Sequence, residues 1–393
     1  MQTTSGRLHE VKSYFDNGDT HVGYRRLLDA AIETQDMSVF QSTLDFSDWY
    51  DQFQQSAGHD HTSLNQEVES LLTKIAAAPT GETVTTTEPV VRISNLRKKY
   101  QSGSFSLTDI DLELFPTQII GLVGENGNGK TTLLRLLYGE LRPDQGTIDF
   151  RLHGLPATSG FYDIKTRLGF IPQRPEPWYG SLMENLQFTA SHYGFKGREN
   201  FLWTEMVCAR MGLRPFRTYS WNRISSGFKM RFELARTIIK KPQVLLLDEP
   251  LANLDVLAQQ VILEDLRFLA HSERMPIGII LSSQQLYEVE KVSEQVVFLK
   301  QGKPKYQSTS STRVNSEQQP LVFELETTAS REELQEMFAT AGLQNISYNG
   351  GVYLIYFDPG VSASEVISQL GASKLPVRYF RDISASSRRF FNA

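Results

Sequence analysis

Nine residues with the sequence GENGNGKTT, at positions 124–132, follow the apolar run Ile119–Val123. Glycines at this spacing let backbone N–H groups curve around a phosphate, because no Cβ atom obstructs the approach. A helix that begins at Lys130 would add its positive dipole end, and the lysine ammonium would reach the terminal phosphates. The segment therefore predicts a site for ATP and Mg²⁺, with Thr131 as a magnesium ligand. The predicted ATP contacts in the loop are Gly124, Glu125, Asn126, Gly127, Asn128, Gly129, Lys130, Thr131 and Thr132.

Two carboxylates follow a second apolar run in the sequence PQVLLLDEP, where Val244–Leu247 precede Asp248 and Glu249. A buried strand that ends in two acids is costly unless they meet a metal ion or a proton-transfer task. We predict that Asp248 binds Mg²⁺ directly or through water. Glu249 would orient or deprotonate the attacking water, which makes it a catalytic residue for phosphoryl transfer.

The elements that must position these residues alternate between short apolar strands and amphipathic helices. This pattern is typical of an α/β domain with a largely parallel sheet. Polar stretches rich in Thr, Ser, Pro or Gly at 78–89 and 307–320 predict linkers. We expect a helical extension at 1–77, the nucleotide-binding domain at 90–306, and a small α+β module at 321–393. The last segment reads strand, helix, strand, helix, strand, which suggests a ferredoxin-like fold.

Composition narrows the class of protein further. The chain has 393 residues, a net charge of −5 and one cysteine. This balance gives no sign of a nucleic-acid binder, so no nucleic-acid partner is expected. With a single cysteine, we also expect no disulfide framework. We expect a cytoplasmic location, since no apolar run approaches the ~18 residues of a membrane span. His59 and His61 lack further ligands at metal-binding spacing and predict an exposed loop.

Taken together, the motifs resemble those of the ATP-binding cassette (ABC) family over about residues 89–306. Tyr100 matches the aromatic residue that stacks on adenine, and Gln173, in LGFIPQ, matches the glutamine that touches Mg²⁺ and the attacking water. The sequence ISSGFKMRFELARTI at 224–238 is similar to the family signature, whose helix N-terminus faces the γ-phosphate in a second subunit. LANLD, which ends at Asp255, is similar to the loop that crosses the dimer interface. The resemblance implies a P-loop NTPase cassette with a helical subdomain.

Two departures from the family pattern affect the expected chemistry. The signature usually reads LSGGQ; here Ser225 and Gly227 remain, whereas Ser226 replaces a glycine and restricts the backbone. Gln284 stands where the family has its switch histidine. Glutamine donates a hydrogen bond but carries neither a proton nor a positive charge, so the resemblance implies slow hydrolysis with Gln284 in the catalytic set.

The leading hypothesis is the ATP-hydrolysing subunit of an ABC transporter on the cytoplasmic face of a membrane. Its implied partners are an integral-membrane permease in a separate chain and a second cassette, as a homodimer or a heterodimer. Exporter-like features of the signature, and Trp178 and Tyr179 as contacts to the permease, favour export. Two alternatives stay open: a soluble ABC ATPase outside transport, and a regulatory protein that binds ATP but hydrolyses it slowly.

Overall fold

The computed structural model describes residues 4–55, 61–79, 87–100, 105–156, 158–309, 321–349, 351–373 and 375–384. His59 and most of the two predicted linkers lie outside these residues, and the predicted division into domains stays a prediction. His61 is the first residue of a helix. Among the described residues, we find no helix with both the length and the apolarity needed to cross a bilayer.

Four helices form the N-terminal extension: α1 (Thr4–Asp16), α2 (Thr20–Thr34), α3 (Met37–Gln55) and α4 (His61–Ala77). Their apolar residues recur at helical spacing, so each helix presents one apolar stripe. Leu27, Phe40 and Leu64, from three of the helices, are fully buried. These stripes belong to the same hydrophobic core as helices of the nucleotide-binding domain.

The central sheet positions the predicted site. Its strands are β3 (Ile119–Val123), β5 (Leu168–Ile171), β6 (Val244–Leu247), β7 (Gly278–Ser283), β8 (Gln295–Lys300) and β9 (Lys303–Thr309). The order is β5-β6-β7-β3-β8-β9, with parallel pairing up to β8 and antiparallel pairing of β9. Every residue of β3, β6 and β7 is buried, as expected for parallel strands covered on both faces.

A smaller antiparallel sheet joins β1 (Val91–Lys99), β2 (Ser106–Leu114) and β4 (Gln145–Phe150) in the order β2-β1-β4. The remaining helices of this part are α5 (Lys130–Leu137), α6 (Phe161–Thr166), α7 (Leu182–His192), α8 (Gly197–Arg210), α9 (Ser226–Ile238), α10 (Val256–Ala270) and α11 (Leu286–Glu290). The predicted α/β architecture with a largely parallel sheet is confirmed.

The extension packs directly on the nucleotide-binding part. Phe40 of α3 stacks on Trp203 of α8 with ring centroids 5.9 Å apart, and both rings are fully buried. Beside them, Arg210 of α8 pairs with Asp29 of α2 and, at 2.6 Å, with Asp265 of α10. We call Arg210, Asp29 and Asp265 the buried ion network. It joins three helices whose residues are far apart in sequence.

The C-terminal module contains β10 (Leu321–Thr327), α12 (Arg331–Phe338), β11 (Leu343–Asn349), β12 (Val352–Phe357), α13 (Ala363–Ala372) and β13 (Val377–Asp382). The antiparallel order β11-β12-β10-β13 with two helices is the ferredoxin-like arrangement.

Two details of the sequence interpretation are corrected. The sequence pattern missed β11, because LQNISYN is mostly polar and shows only weak alternation. Strand β9 runs to Thr309, three residues into the predicted linker at 307–320. Its last residue, Thr309, pairs with Gln295 of β8.

Candidate functional site

The glycine-rich loop joins the carboxyl end of β3 to the first residue of α5. Gly127 and Gly129 have φ angles of +81° and +98°, a left-handed region that disfavours residues with a Cβ atom. At Gly124, a Cβ atom would lie 2.5 Å from the backbone oxygen of Leu299. A Cβ at Gly127 would meet nothing within 4 Å, so open space borders the loop at that position. The loop has the shape of a cradle and is open on one side.

Lys130 places its ammonium inside this cradle. Its side chain is 5% exposed and donates hydrogen bonds to the backbone oxygens of Gly124, at 2.6 Å, and Glu125, at 3.3 Å. The Glu249 carboxylate lies 3.1 Å from the same nitrogen. The lysine therefore points at the loop rather than into solvent.

Asp248 lies at the end of β6 and is 4% exposed. Its carboxylate accepts hydrogen bonds from the Thr131 hydroxyl, at 2.9 and 3.2 Å, and from the Ser282 hydroxyl, at 2.7 Å. The structure thus brings together Thr131 and Asp248, the two residues whose predicted role is to bind Mg²⁺, and that role stays a prediction. Ser282 was missed, although a polar residue at the end of the buried strand β7 was a signal for it.

Glu249 adopts a left-handed backbone conformation with φ of 50°, and its N–H donates to the Ser282 hydroxyl at 2.9 Å. Strain of this kind often occurs at functional sites, where surrounding structure holds it in place. Glu288 of α11 was also missed by sequence reasoning. It is 8% exposed, and burial, together with the negative charge of Glu249, raises its pKa.

Two glutamines complete this edge of the sheet. Gln173 follows β5 and Gln284 follows β7, the two neighbours of β6 in the sheet. Both side chains are exposed, and neither is hydrogen-bonded to another described residue. The Tyr100 hydroxyl lies 3.3 Å from the hydroxyl of Thr132, at the end of the glycine-rich loop. The roles of these residues stay predictions.

The signature residues begin helix α9. Ser225 is the N-cap and accepts a hydrogen bond from the Phe228 N–H at 3.5 Å. Ser226 donates from its hydroxyl to the Asn253 backbone oxygen at 3.1 Å, a contact that glycine lacks. A Cβ at Gly227 would lie 3.4 Å from that of Ala258, so α10 approaches closely.

Asp255 caps α10 by accepting from the Ala258 N–H at 2.8 Å. Ser225, Ser226 and Asp255 are exposed. The signature and the predicted interface loop therefore form one accessible surface of the chain.

Trp178 and Tyr179 differ in exposure. Arg236 of α9 lies over the Trp178 ring, 4.2 Å from its centroid, and also pairs with Glu233, which is fully buried. Tyr179, in contrast, is 97% exposed. Of these two residues, Tyr179 is the one with the exposure expected of a contact to another protein.

The residues fit a magnesium nucleotide. Among the described residues of this site, we find one buried cation, Lys130. The site also contains three largely buried acids, Asp248, Glu249 and Glu288. The excess of negative charge is what a divalent cation offsets. His, Cys, Asp and Glu side chains form no metal-holding group of three within the described residues. In proteins, Mg²⁺ usually keeps several waters and binds one or two carboxylates beside phosphate oxygens.

Comparison with known proteins also indicates a nucleotide-binding protein. The family model described as ABC transporter matches residues 107–252, which include the loop, Gln173, the signature and Asp248. A Nod factor export ATP-binding protein I of Cupriavidus metallidurans is 30% identical over 217 residues, which are 54% of this chain and 69% of that protein. The ABC transporter ATP-binding protein NatA of Bacillus subtilis is 28% identical over 214 residues, covering 54% of this chain and 85% of NatA.

A solved structure shares the fold. The cbiO1 protein of Clostridium perfringens, part of the ABC transporter complex cbiONQ, superposes with a TM-score of 0.52. The match covers 58% of this chain and 91% of cbiO1 at 23% identity. The chain therefore belongs to the ATP-binding cassette family and is an ABC transporter ATP-binding protein with the ATP-hydrolysing cassette of that family.

Proposed function

We propose that this chain powers export through a separately encoded membrane permease, as one of two cassettes that close over ATP. The observation that carries the proposal is the convergence of Lys130, Thr131, Asp248 and Glu249 at the carboxyl edge of one parallel sheet. Ligands of open α/β sheets bind at this edge.

The proposed roles follow from position and chemistry. The loop at 124–132 cradles the phosphates, and Lys130 stabilises their charge. Thr131 and Asp248 hold Mg²⁺, with Gln173 as a further ligand; the ion, when bound, would neutralise charge on the phosphate oxygens. Glu249 orients or deprotonates the attacking water, and Gln284 donates a neutral hydrogen bond to the γ-phosphate. Tyr100 stacks on adenine beside Thr132.

The second cassette is inferred from the signature surface. Ser225 is exposed, and the N-terminus of α9 carries a positive dipole end that suits an anion. In the proposed dimer, Ser225, Ser226 and Gly227 of one chain close over the phosphates bound to the other, and Asp255 lies at the interface.

Glu249→Gln tests the pairing, because nucleotide stays bound when water activation fails. We expect this variant to dimerise in saturating Mg²⁺-ATP, measured by light scattering, and to be monomeric without nucleotide. The double variant Glu249→Gln with Lys130→Ala is the control that should stay monomeric. A monomeric Glu249→Gln protein in Mg²⁺-ATP would contradict self-pairing and leave a heterodimer.

The permease contact is proposed at Tyr179 and at Phe188 of α7, which is 68% exposed. Exposed aromatic residues are frequent anchors of protein interfaces. The direction of transport is supported by the similarity to a Nod factor export protein and by the basic residues Lys229 and Arg231 after the signature. The chain would then act on the cytoplasmic face of a membrane.

Membrane co-purification tests this part. We expect wild-type protein to bring down a hydrophobic partner after mild detergent extraction, and Tyr179→Ala to lose most of it. Tyr162→Ala is the matched control, since Tyr162 is 90% exposed on α6. Equal recovery in the two variants would contradict the proposed contact. ATP-driven uptake into inside-out vesicles supports export, and uptake only into right-side-out vesicles contradicts it.

The regulatory alternative is favoured by one observation, the hydrogen bond that ties Ser226 to the Asn253 backbone oxygen. This contact restrains the signature at the position where the family has a flexible glycine. Tight ATP binding without turnover, with and without membranes, would support that alternative over transport.

A further inference from the structure

A cleft of about 750 Å³ lies at the end of the central sheet opposite the nucleotide site. It is bordered by residues that precede the strands: Pro116 before β3, Arg167 before β5, Gln243 before β6 and Pro276 before β7. A cleft of this size is within the range of ~300–1,000 Å³ typical of small-molecule sites. None of the residues assigned above to the nucleotide site is among those that line the cleft.

The cleft is basic in a chain whose net charge is −5. Its charged lining residues are Arg151, Arg167, Lys241 and Arg274 against one acid, Asp149. Arg151 is paired with Asp149 at 3.1 Å and with Glu88 at 2.7 Å. The other three cations have no carboxylate within ion-pair distance among the described residues.

Arg167 is the most informative of the three. It is half-buried, and its guanidinium makes no hydrogen bond or ion pair with the described part of the chain. A guanidinium presents a planar fork of N–H donors that matches carboxylate and phosphate groups. No nitrogen of Arg167 is among the buried atoms that lack a partner in the described residues, so its N–H groups stay accessible to a bound anion.

Lys241 and Arg274 contribute mainly positive potential. The Lys241 ammonium donates to the Gln35 side chain at 2.7 Å and lies 5.0 Å from the centroid of the Trp203 ring. Arg274 donates to the backbone oxygens of Thr34 and, at 2.6 Å, Pro79. These hydrogen-bond partners are neutral, and the positive field of the two side chains favours an anion in the cleft.

The shape of the cleft is fixed by hydrogen bonds. The Gln243 amide accepts from the His153 N–H at 2.6 Å and donates to the His153 oxygen at 2.7 Å. This pair holds the loop after β4 against the start of β6. The lining also contains the apolar residues Val90, Phe150, Leu152 and Met275. The cleft therefore combines cationic and apolar lining residues.

We infer that this cleft binds a small organic anion with an apolar body, whose carboxylate or phosphate pairs with Arg167. The apolar lining residues contact the body of the ligand, and inorganic phosphate alone lacks that part. Since Lys241 and Arg274 also hold residues of the N-terminal extension, the ligand would lie where the extension meets the cassette.

The probe for the test is 8-anilinonaphthalene-1-sulfonate, an apolar anion whose fluorescence rises on binding, titrated into the full chain without nucleotide. We expect saturable binding that Arg167→Glu weakens about tenfold or more, because a charge-assisted contact becomes a repulsion. Arg142→Glu is the matched control, since Arg142 is exposed outside the cleft. Arg167→Gln, which removes charge without reversing it, should weaken binding less.

Equal affinity in wild type, Arg167→Gln and Arg142→Glu, or no saturable binding, would overturn the inference. Because the Arg167 side chain makes no hydrogen bond with any residue that the structure describes, its replacement should leave the circular dichroism spectrum unchanged. Competition then identifies the head group: AMP displacing the probe, also in Lys130→Ala, indicates a phosphate ligand, and decanoate displacing it indicates a carboxylate. Displacement by neither would show that the ligand class is wrong.

Discussion

The chain buries charge in two regions, and the two regions handle it differently. In the buried ion network, Arg210, Asp29 and Asp265 have side chains 3%, 5% and 2% exposed, and each charge has a partner on another helix. Arg26 lies 3.1 Å from Asp29, and Arg25 lies 2.5 Å from Asp265 and 3.6 Å from Glu264, so three cations face three acids. At the nucleotide site, Lys130 instead relies on oxygens of its own loop and on Glu249, and acids are in excess.

The difference separates a structural use of buried charge from a chemical one. Burial raises the pKa of Asp29, and the positive charges of Arg210 and Arg26 oppose that rise. Charges that compensate one another across helices fix how those helices pack. Charges left unbalanced in an open cradle are available to a ligand. Burial alone would not have told the two regions apart.

The largest expected effect comes from breaking the network. Arg210→Met should lower the free energy of unfolding by about 3–5 kcal/mol, because two buried carboxylates lose their shared cation. Urea denaturation measures the change. The exposed pair Arg92–Glu113 is the control, and Arg92→Ala should cost at most about 1 kcal/mol.

Adding Asp29→Asn and Asp265→Asn to Arg210→Met should recover part of the loss, since it removes the uncompensated charges. If Arg210→Met and Arg92→Ala cost the same, the network does not fix the packing of the extension.

The second largest effect is expected at the nucleotide site. Lys130→Ala should reduce ATP turnover by a factor of about 10²–10³, the range for removing one preorganised electrostatic donor. Its unfolding free energy should change less than that of Arg210→Met, because Lys130 pairs with one carboxylate, Glu249, whereas Arg210 pairs with two. Coupled-assay turnover and urea denaturation on the same samples test both statements. Unchanged turnover would contradict the site.

A smaller effect concerns Gln284. If a charge-assisted contact to the γ-phosphate is stronger than a neutral one, Gln284→His should raise basal turnover several-fold. Each ~1.4 kcal/mol of added stabilisation is about tenfold in rate. Affinity for ATP should change little. Equal or lower turnover, with and without membranes, would mean that Gln284 is a competent replacement.

The smallest expected effect concerns Ser226. Ser226→Gly removes the hydrogen bond to the Asn253 oxygen, which should cost about 0.5–1.5 kcal/mol of stability. Ser226→Ala loses the hydroxyl but keeps the Cβ atom, so it separates the bond from backbone freedom. A rise in turnover with glycine but not with alanine would indicate that restricted backbone freedom slows hydrolysis. No change in either variant would remove Ser226 from the explanation.

How much the sequence could predict depends on how local each interaction is. The loop at 124–132 was predictable because strand, glycines, lysine and helix are consecutive in the chain, and Asp248 was predictable as the end of an apolar strand. The pairing of Arg210 with Asp29 was not, since no spacing rule links residues so far apart. Strand β11 was missed because its polar residues carry little periodicity, and its position depends on pairing with β12.

The shared core of α3 and α8 also bears on how the chain could be divided. Phe40 and Trp203 are buried against each other, and Arg274 holds the backbone oxygens of Thr34 and Pro79. A break in the backbone within 80–86 would therefore cut the chain without removing these contacts. The extension and the cassette, produced as two polypeptides, should reassociate as a complementing pair, whereas the cassette alone would expose the apolar face of α8 and aggregate.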